Sequence, residues 1–339
     1  MSVASSTRGK RPTIRDIARE AGVSRGTVSR VLNGGEYVSP AALAAVQAAI
    51  ERTGYVANKH ARSLASGRAN TMAFLLTEPH HLLFEDPNFS TLLRGAAQAL
   101  SVRDLPLVLV LASTPAERRR TLAYLTGGHV DGVLVVSSHS GDPLVSDLVD
   151  AGIPVVSCGR PLGQRGRLAY VAADDFGGAQ EMTSHMLASG RRRVAMISGP
   201  LDTSGGVDRL AGYRAAVGEA WDERLVAHGE YSRAGGRQAM EVLLKSAPEL
   251  DAVFVGSDLM AAGALTALKE AGRTVPTDVS VGGFDDSALA TSLEPPLSTV
   301  HQPLERISEE MVRLLLERVE GKDPVSVTVP TRLVLRHST

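Results

Sequence analysis

The chain has 339 residues, 43% of them apolar and 4% aromatic, with a formal net charge of −1. This length exceeds one compact unit and predicts two or three domains with cores of Val, Leu, Ala and Ile. No apolar run can span a bilayer, and the Ser- and Arg-rich residues 1–11 lack the apolar segment of a secretory signal. Cys158 is the only cysteine, which excludes an intrachain disulfide and fits a reducing, cytoplasmic setting.

Charge is unevenly spread. Residues 1–70 hold eleven Lys/Arg against four acids, so this segment carries +7 and the remainder −8. A small basic head on an acidic body is the footprint of a nucleic-acid binder, although charge alone also fits a solubilising tail.

Ile14, Ile17, Ala18 and Ala21 share one face of a short helix that Thr13 can cap and Gly22 can end. Ser24 caps a second helix with Val28, Val31 and Leu32 inward, and Asn33-Gly34-Gly35 stops it. Two helices joined in this way form a helix-turn-helix. Ser39-Pro40 opens a third helix, with Leu43, Val46 and Ile50 on one face and Gly54 at its end. The second helix of such a unit presents its N-terminal residues to the major groove. Here these are Arg25, Gly26 and Thr27, with Arg30 one turn on. An Arg gripping guanine O6 and N7 supplies ~1–3 kcal/mol of discrimination. Thr13, Ser24, Ser29, Asn33, Tyr55 and Asn58 suit phosphate contacts, which position the head without reading sequence. The spacing alone also allows Arg25 and Arg30 to be ordinary solvated residues.

Beyond residue 70, short apolar strands alternate with amphipathic helices. Strands are predicted at 72–76, 107–111, 132–136 and 154–158, and a second set at 170–172, 194–197, 252–255 and 280–282. Helical patterns fall at 89–100, 177–189, 209–220, 237–245 and 259–271. The alternation implies two lobes, each a parallel sheet covered on both faces. Such sheets bind ligands beyond the carboxyl ends of their strands. This singles out Thr77-Glu78, Ser137-Ser138, Gly159-Arg160, Asp174-Asp175, Ser198, Ser257-Asp258 and Asp285-Asp286. Carboxylates facing an Arg across a cleft suit a polyhydroxylated ligand, with Tyr231 or Phe89 for stacking. Asp175, Asp258 and Asp286 equally suit helix N-caps. An enzyme using paired carboxylates on a small polar metabolite, or a sugar-binding transport protein, remain alternatives. Against an enzyme, the chain has no phosphate loop, dinucleotide fingerprint, zinc-protease motif or nucleophile elbow. His80 and His81 lack clustered partners, so neither metal nor cofactor is expected. The basic head argues against a transport protein.

The run Thr13 to Gly34 (TIRDIAREAGVSRGTVSRVLNG), with Val38-Ser39-Pro40, Gly54 to Asn58 and Ala61 to Ala65, resembles the head of the lactose-repressor (LacI) family. The body resembles that family's sensor, itself similar to periplasmic sugar-binding proteins. The carrying segments are Asp86-Pro-Asn-Phe89, residues 127–132, Gly159-Arg-Pro161, Arg209-Leu-Ala-Gly-Tyr213, Gly256-Ser-Asp258, residues 282–286 and residues 295–302. The resemblance implies an all-α head at 1–57, a hinge at 58–70 and an effector domain at 71–339. It further implies a first lobe of 71–170 and 301–327 and a second of 171–300 and 328–339. In the hinge it implies that Leu64 wedges into a central base step of the minor groove, with Ala61 on the same face. It implies effector contacts from Phe89, Arg160, Arg209, Tyr231, Ser257, Asp285 and Gln302. The expected partners are double-stranded operator DNA, a sugar-like effector and a second copy of the chain. A dimer rather than a tetramer is expected because Thr339 directly follows the last strand. Three departures stand out: Gly26, Gly159 and Ser257 replace a larger residue, an Asp and an Asn found in many members.

Overall fold

The computed structural model describes residues 12–32, 37–55, 68–163 and 166–339. It divides into two compact units, Met1–Ala69 and Asn70–Thr339.

The smaller unit contains the helices Ile14–Glu20, Arg25–Leu32 and Pro40–Thr53. The Thr13 N–H and hydroxyl both donate to Asp16 Oδ2, at 2.9 and 2.7 Å, which fixes the first helix start. Gly22 ends that helix at φ +66°, and the Val23 N–H returns to the Ala18 carbonyl at 3.0 Å. Ser24 Oγ then accepts the Thr27 N–H at 3.1 Å and starts the second helix. Ile17, Val28, Val46 and Ala49 are wholly buried at the centre, with Ile14, Val31, Leu32, Ile50 and Tyr55 packed around them. Leu43 was expected inward and is instead 39% exposed. A 14-residue helix set against helices of 7 and 8 residues leaves its first turn in solvent.

The larger unit holds two six-stranded sheets. Across the first sheet lie Ser326–Val329, Ala169–Ala173, Val155–Cys158, Gly132–Val136, Met72–Leu76 and Leu107–Leu111, all parallel. Across the second lie Arg332–Val334, Ser298–His301, Ser280–Asp285, Ala252–Val255, Val194–Ser198 and Val226–His228. Only Arg332–Val334 runs antiparallel there. Alternate residues of one strand feed opposite cores. Met72, Phe74 and Leu76 pack with Leu304, Met311 and Leu315, while Ala73 and Leu75 pack with Leu125, Leu144 and Leu148. Burial on both faces explains why these strands read as continuous apolar runs.

Residues 170–172, expected in the second set, lie within Ala169–Ala173 of the first sheet, between Val155–Cys158 and Ser326–Val329. Sequence order cannot say which sheet a crossover strand joins, and one neighbour comes from some 150 residues on. The chain passes to the second lobe after Ala173, returns between His301 and Leu304, and crosses again between Val329 and Arg332. The helix Leu304–Val319 accordingly covers the first sheet against Pro87–Ser101.

Candidate functional site

Arg25, Gly26 and Arg30 are exposed on the helix Arg25–Leu32, whose other face buries Val28. Thr27 is half-buried, its hydroxyl 2.9 Å from Ser24 Oγ. Ser24 thus caps the helix while remaining exposed, Ser29 is half-buried, and Tyr55 lies against the small core. Asn33, Asn58, Ala61 and Leu64 lie outside the described residues.

The larger unit contains a cleft lined from both lobes. Phe89, Arg209, Tyr231, Ser257, Asp285 and Gln302 all line it. Arg160 does not; its Nη2 lies 2.6 Å from Asp208 Oδ1, an ion pair joining the lobes. Arg209 holds the floor. Its Nε donates to Asp175 Oδ1 at 2.8 Å, its guanidinium lies 3.7 Å from the Phe284 ring centre, and Asp285 Oδ1 is 3.7 Å from Nη1. Burial works against the Arg209 charge, but Asp175, Tyr231 and Asp285 outweigh it and keep the guanidinium firmly protonated. Burial also raises the carboxyls of Asp175 and Asp285, with Arg209 opposing in both. Asp285, at φ +118°, is strained backbone held by Gln302, whose Nε2 donates to Asp285 Oδ1 at 2.6 Å. Gln302 sits where the chain crosses back between lobes, so this bond ties the crossing to the floor.

The helix caps fall beside the acids proposed for them. Asp174 caps Asp175–Ala188 and Ser257 caps Asp258–Glu270, accepting the Met260 N–H at 3.2 Å. Asp258 instead accepts from Thr299 Oγ1 at 2.6 Å and from the Ser287 N–H at 2.8 Å. Asp286 pairs with Arg336 at 2.6 Å. Asp86, Asn88, Thr203 and Ser204 also line the cleft and were not among the expected contacts. Their signal was local, since Asp86 and Thr203 precede helices as caps. Burial, with Asp285 adding to it, pushes the Asp86 pKa up to about 7. Burial pushes the Cys158 thiol up to about 12, which removes it as a thiolate. Among the described residues no cluster of three His, Cys, Asp or Glu can hold a metal ion, and no helix is long and apolar enough to cross a membrane.

A family model for bacterial regulatory proteins of the lacI family matches residues 13–58, and one for a periplasmic binding protein-like domain matches residues 183–339. The HTH-type transcriptional regulator CelR of Thermobifida fusca is 44% identical over 337 residues, 98% of this chain and 99% of CelR. The chain belongs to the LacI family. It is therefore a DNA-binding transcription regulator with a helix-turn-helix head and a two-lobed sensor. Among solved LacI-family structures, a CelR–cellobiose complex matches with TM-score 0.78 and 44% identity, covering 97% of this chain and all of that one. The lac repressor bound to ONPG in the repressed state matches with TM-score 0.84 and 26% identity, over 97% and 100%. One departure from the LacI pattern has a local cause. Gly159 takes φ +84°, where any other L residue is strained, and a Cβ there would also press on Ser204 Oγ of the opposite lobe at 3.1 Å.

Proposed function

We propose that this protein is a homodimeric operator-binding repressor whose affinity for DNA is set by a neutral disaccharide of the cellobiose type bound between the lobes. The convergence of six of the seven expected contact residues on one cleft carries this reading. An Arg flanked by buried carboxylates, beside Phe89 and Tyr231, offers paired acceptors and donors to adjacent hydroxyls and apolar faces to a pyranose ring. The relative solved with cellobiose supplies the ligand class. Arg25 and Arg30 read bases, the remaining polar residues of the head and hinge position it on phosphates, and Ala61 and Leu64 enter the minor groove. Two heads on a two-fold dimer match a pseudo-palindromic operator. The partner copy fits the edge strand Leu107–Leu111, where Leu109 is exposed. The protein works in the cytoplasm as a sensor and not as an enzyme.

Effector binding fixes the angle between lobes and thereby the spacing of the two hinges. A coupling of ~1–3 kcal/mol changes operator affinity ~5–150-fold. Calorimetry with cellobiose, lactose, ribose and hypoxanthine, followed by operator titration with and without each, tests the reading. Cellobiose is expected to bind, to shift operator affinity and to be recovered unhydrolysed. Binding of none of the sugars, or binding without any change on DNA, would overturn it.

A further inference from the structure

One imidazole joins the two lobes beside the cleft. His139 follows the strand Gly132–Val136 of the first lobe, and Asp202 follows Val194–Ser198 of the second. His139 Nε2 lies 2.8 Å from Glu78 Oε1, and Nδ1 lies 2.9 Å from Asp202 Oδ2. The Ser140 N–H donates to the Asp202 carbonyl at 2.7 Å and closes the same junction through the backbone. A carboxylate at each ring nitrogen requires a proton on both, so the ring is an imidazolium. The Glu78 carboxylate, aided by Asp202 and opposed by burial, pushes the His139 pKa up to about 9.

Glu78 is held with unequal oxygens. It lines the cleft next to Ser137 and Ser138. Oε1 accepts from both His139 and the Ser137 hydroxyl, while Oε2 accepts no hydrogen bond among the described residues. Burial pushes this carboxyl up, but the bonds from His139 and Ser137 outweigh it and hold the pKa below the usual value. The cleft wall therefore carries an ionised carboxylate with one oxygen anchored and the other open. A hydroxyl donating to such an oxygen forms a charge-assisted bond, stronger than one between neutral groups.

We propose that Glu78 contacts the effector by accepting a sugar hydroxyl through Oε2, and that His139 is its positioning residue, holding it in register only while the lobes are closed onto Asp202. The proposal rests on the reading of the cleft as a sugar site. It makes recognition on the first lobe and closure against the second a single event. The charged groups facing the bridge are Glu78 after Met72–Leu76, Asp202 after Val194–Ser198, and Asp86 at the head of Pro87–Ser101, which feels the Glu78 charge. Asp86 titrates near 7, so a window from pH 8 to 10 isolates His139.

Calorimetry of cellobiose binding to the full chain tests this, with thermal unfolding confirming that each variant is folded. Glu78→Gln keeps the shape and removes the charge, and is expected to weaken binding about tenfold. Wild-type affinity should fall as pH rises through about 9. His139→Ala should be weaker at pH 8 and flat to pH 10. Asp202→Asn, at a half-exposed site, should weaken binding less and move the wild-type pH midpoint downward. A Glu78→Gln variant that binds like wild type, or a wild-type affinity that is flat from pH 8 to 10, overturns the proposal and leaves the sugar site standing. A wild type that binds no sugar overturns both.

Discussion

Arg209 Nε donates to Asp175 Oδ1 at 2.8 Å with both side chains almost wholly removed from solvent. Asp285 shares the same guanidinium at 3.7 Å, so one cation serves two buried carboxylates. Arg209→Met strands both, and breaking a buried pair from one side costs ~3–5 kcal/mol. Urea unfolding should register a loss of that size, and sugar binding should vanish. Adding Asp175→Asn should return part of the stability and none of the binding. An Arg209→Met variant as stable as wild type would mean that the pair does not anchor the cleft.

Two neighbouring residues at the start of the reading helix should answer mutation differently. Arg25 is exposed and lies outside the apolar core that the described residues of the head build, so Arg25→Ala should leave stability unchanged and relax base preference. Ser24 caps the helix through the Thr27 N–H, so Ser24→Ala should lower head stability by ~1 kcal/mol and weaken binding evenly across sequences. Selection from a randomised operator library compares the two. Unchanged selectivity in the Arg25 variant would take base readout away from it.

Gly26 lies one residue into the helix, exposed and without a positive φ, and a Cβ there would meet only ordinary van der Waals contacts, Ser24 Oγ at 3.6 Å and Arg30 Nη2 at 4.0 Å. Among the described residues nothing requires a glycine there. Gly26→Ala is expected to stabilise the head by ~1 kcal/mol, the difference in helix propensity. Urea unfolding followed by helical circular dichroism measures it, and a loss of stability would refute the assignment of an unstrained site.

How much of this was legible in the sequence depends on the range of the interaction. Met72–Leu76 and Gly132–Val136 were read with their observed ends, because burial on both faces leaves an unbroken apolar run. Gly22 and Ser24 were read correctly because a helix end is decided by residues within one turn. Leu43 was not, since periodicity shows a face but not whether a neighbouring helix is long enough to cover it. The sheet joined by Ala169–Ala173 depends on Ser326–Val329, far along the chain. Cleft residues at strand ends were visible through the general rule for open sheets, whereas the bridge from Glu78 through His139 to Asp202 joins three loops of no shared pattern. Arg160 is placed on the ligand by resemblance and is engaged by Asp208, a partner from the other lobe that no local sequence pattern connects to it.

Asp86 gives the sensor a pH dependence of defined sign. It caps Pro87–Ser101 through the Asn88 N–H at 2.9 Å, and burial together with Asp285 lifts its pKa to about 7. In an unfolded chain an Asp titrates near ~3.9. Between those values the folded protein keeps a proton that the unfolded chain has released. The group's contribution to stability is therefore complete below about pH 4 and is lost as pH rises through 7, after which it is constant. At ~1.4 kcal/mol per pH unit the loss is a few kcal/mol, shared with Asp285. Asp86→Asn cannot titrate and keeps an acceptor for the Asn88 N–H. Its stability relative to wild type should rise steadily between pH 4 and 7.5 in urea unfolding and level off above. A difference that is constant over that range would show that Asp86 is already ionised at pH 4, and that Arg209 rather than burial governs its charge.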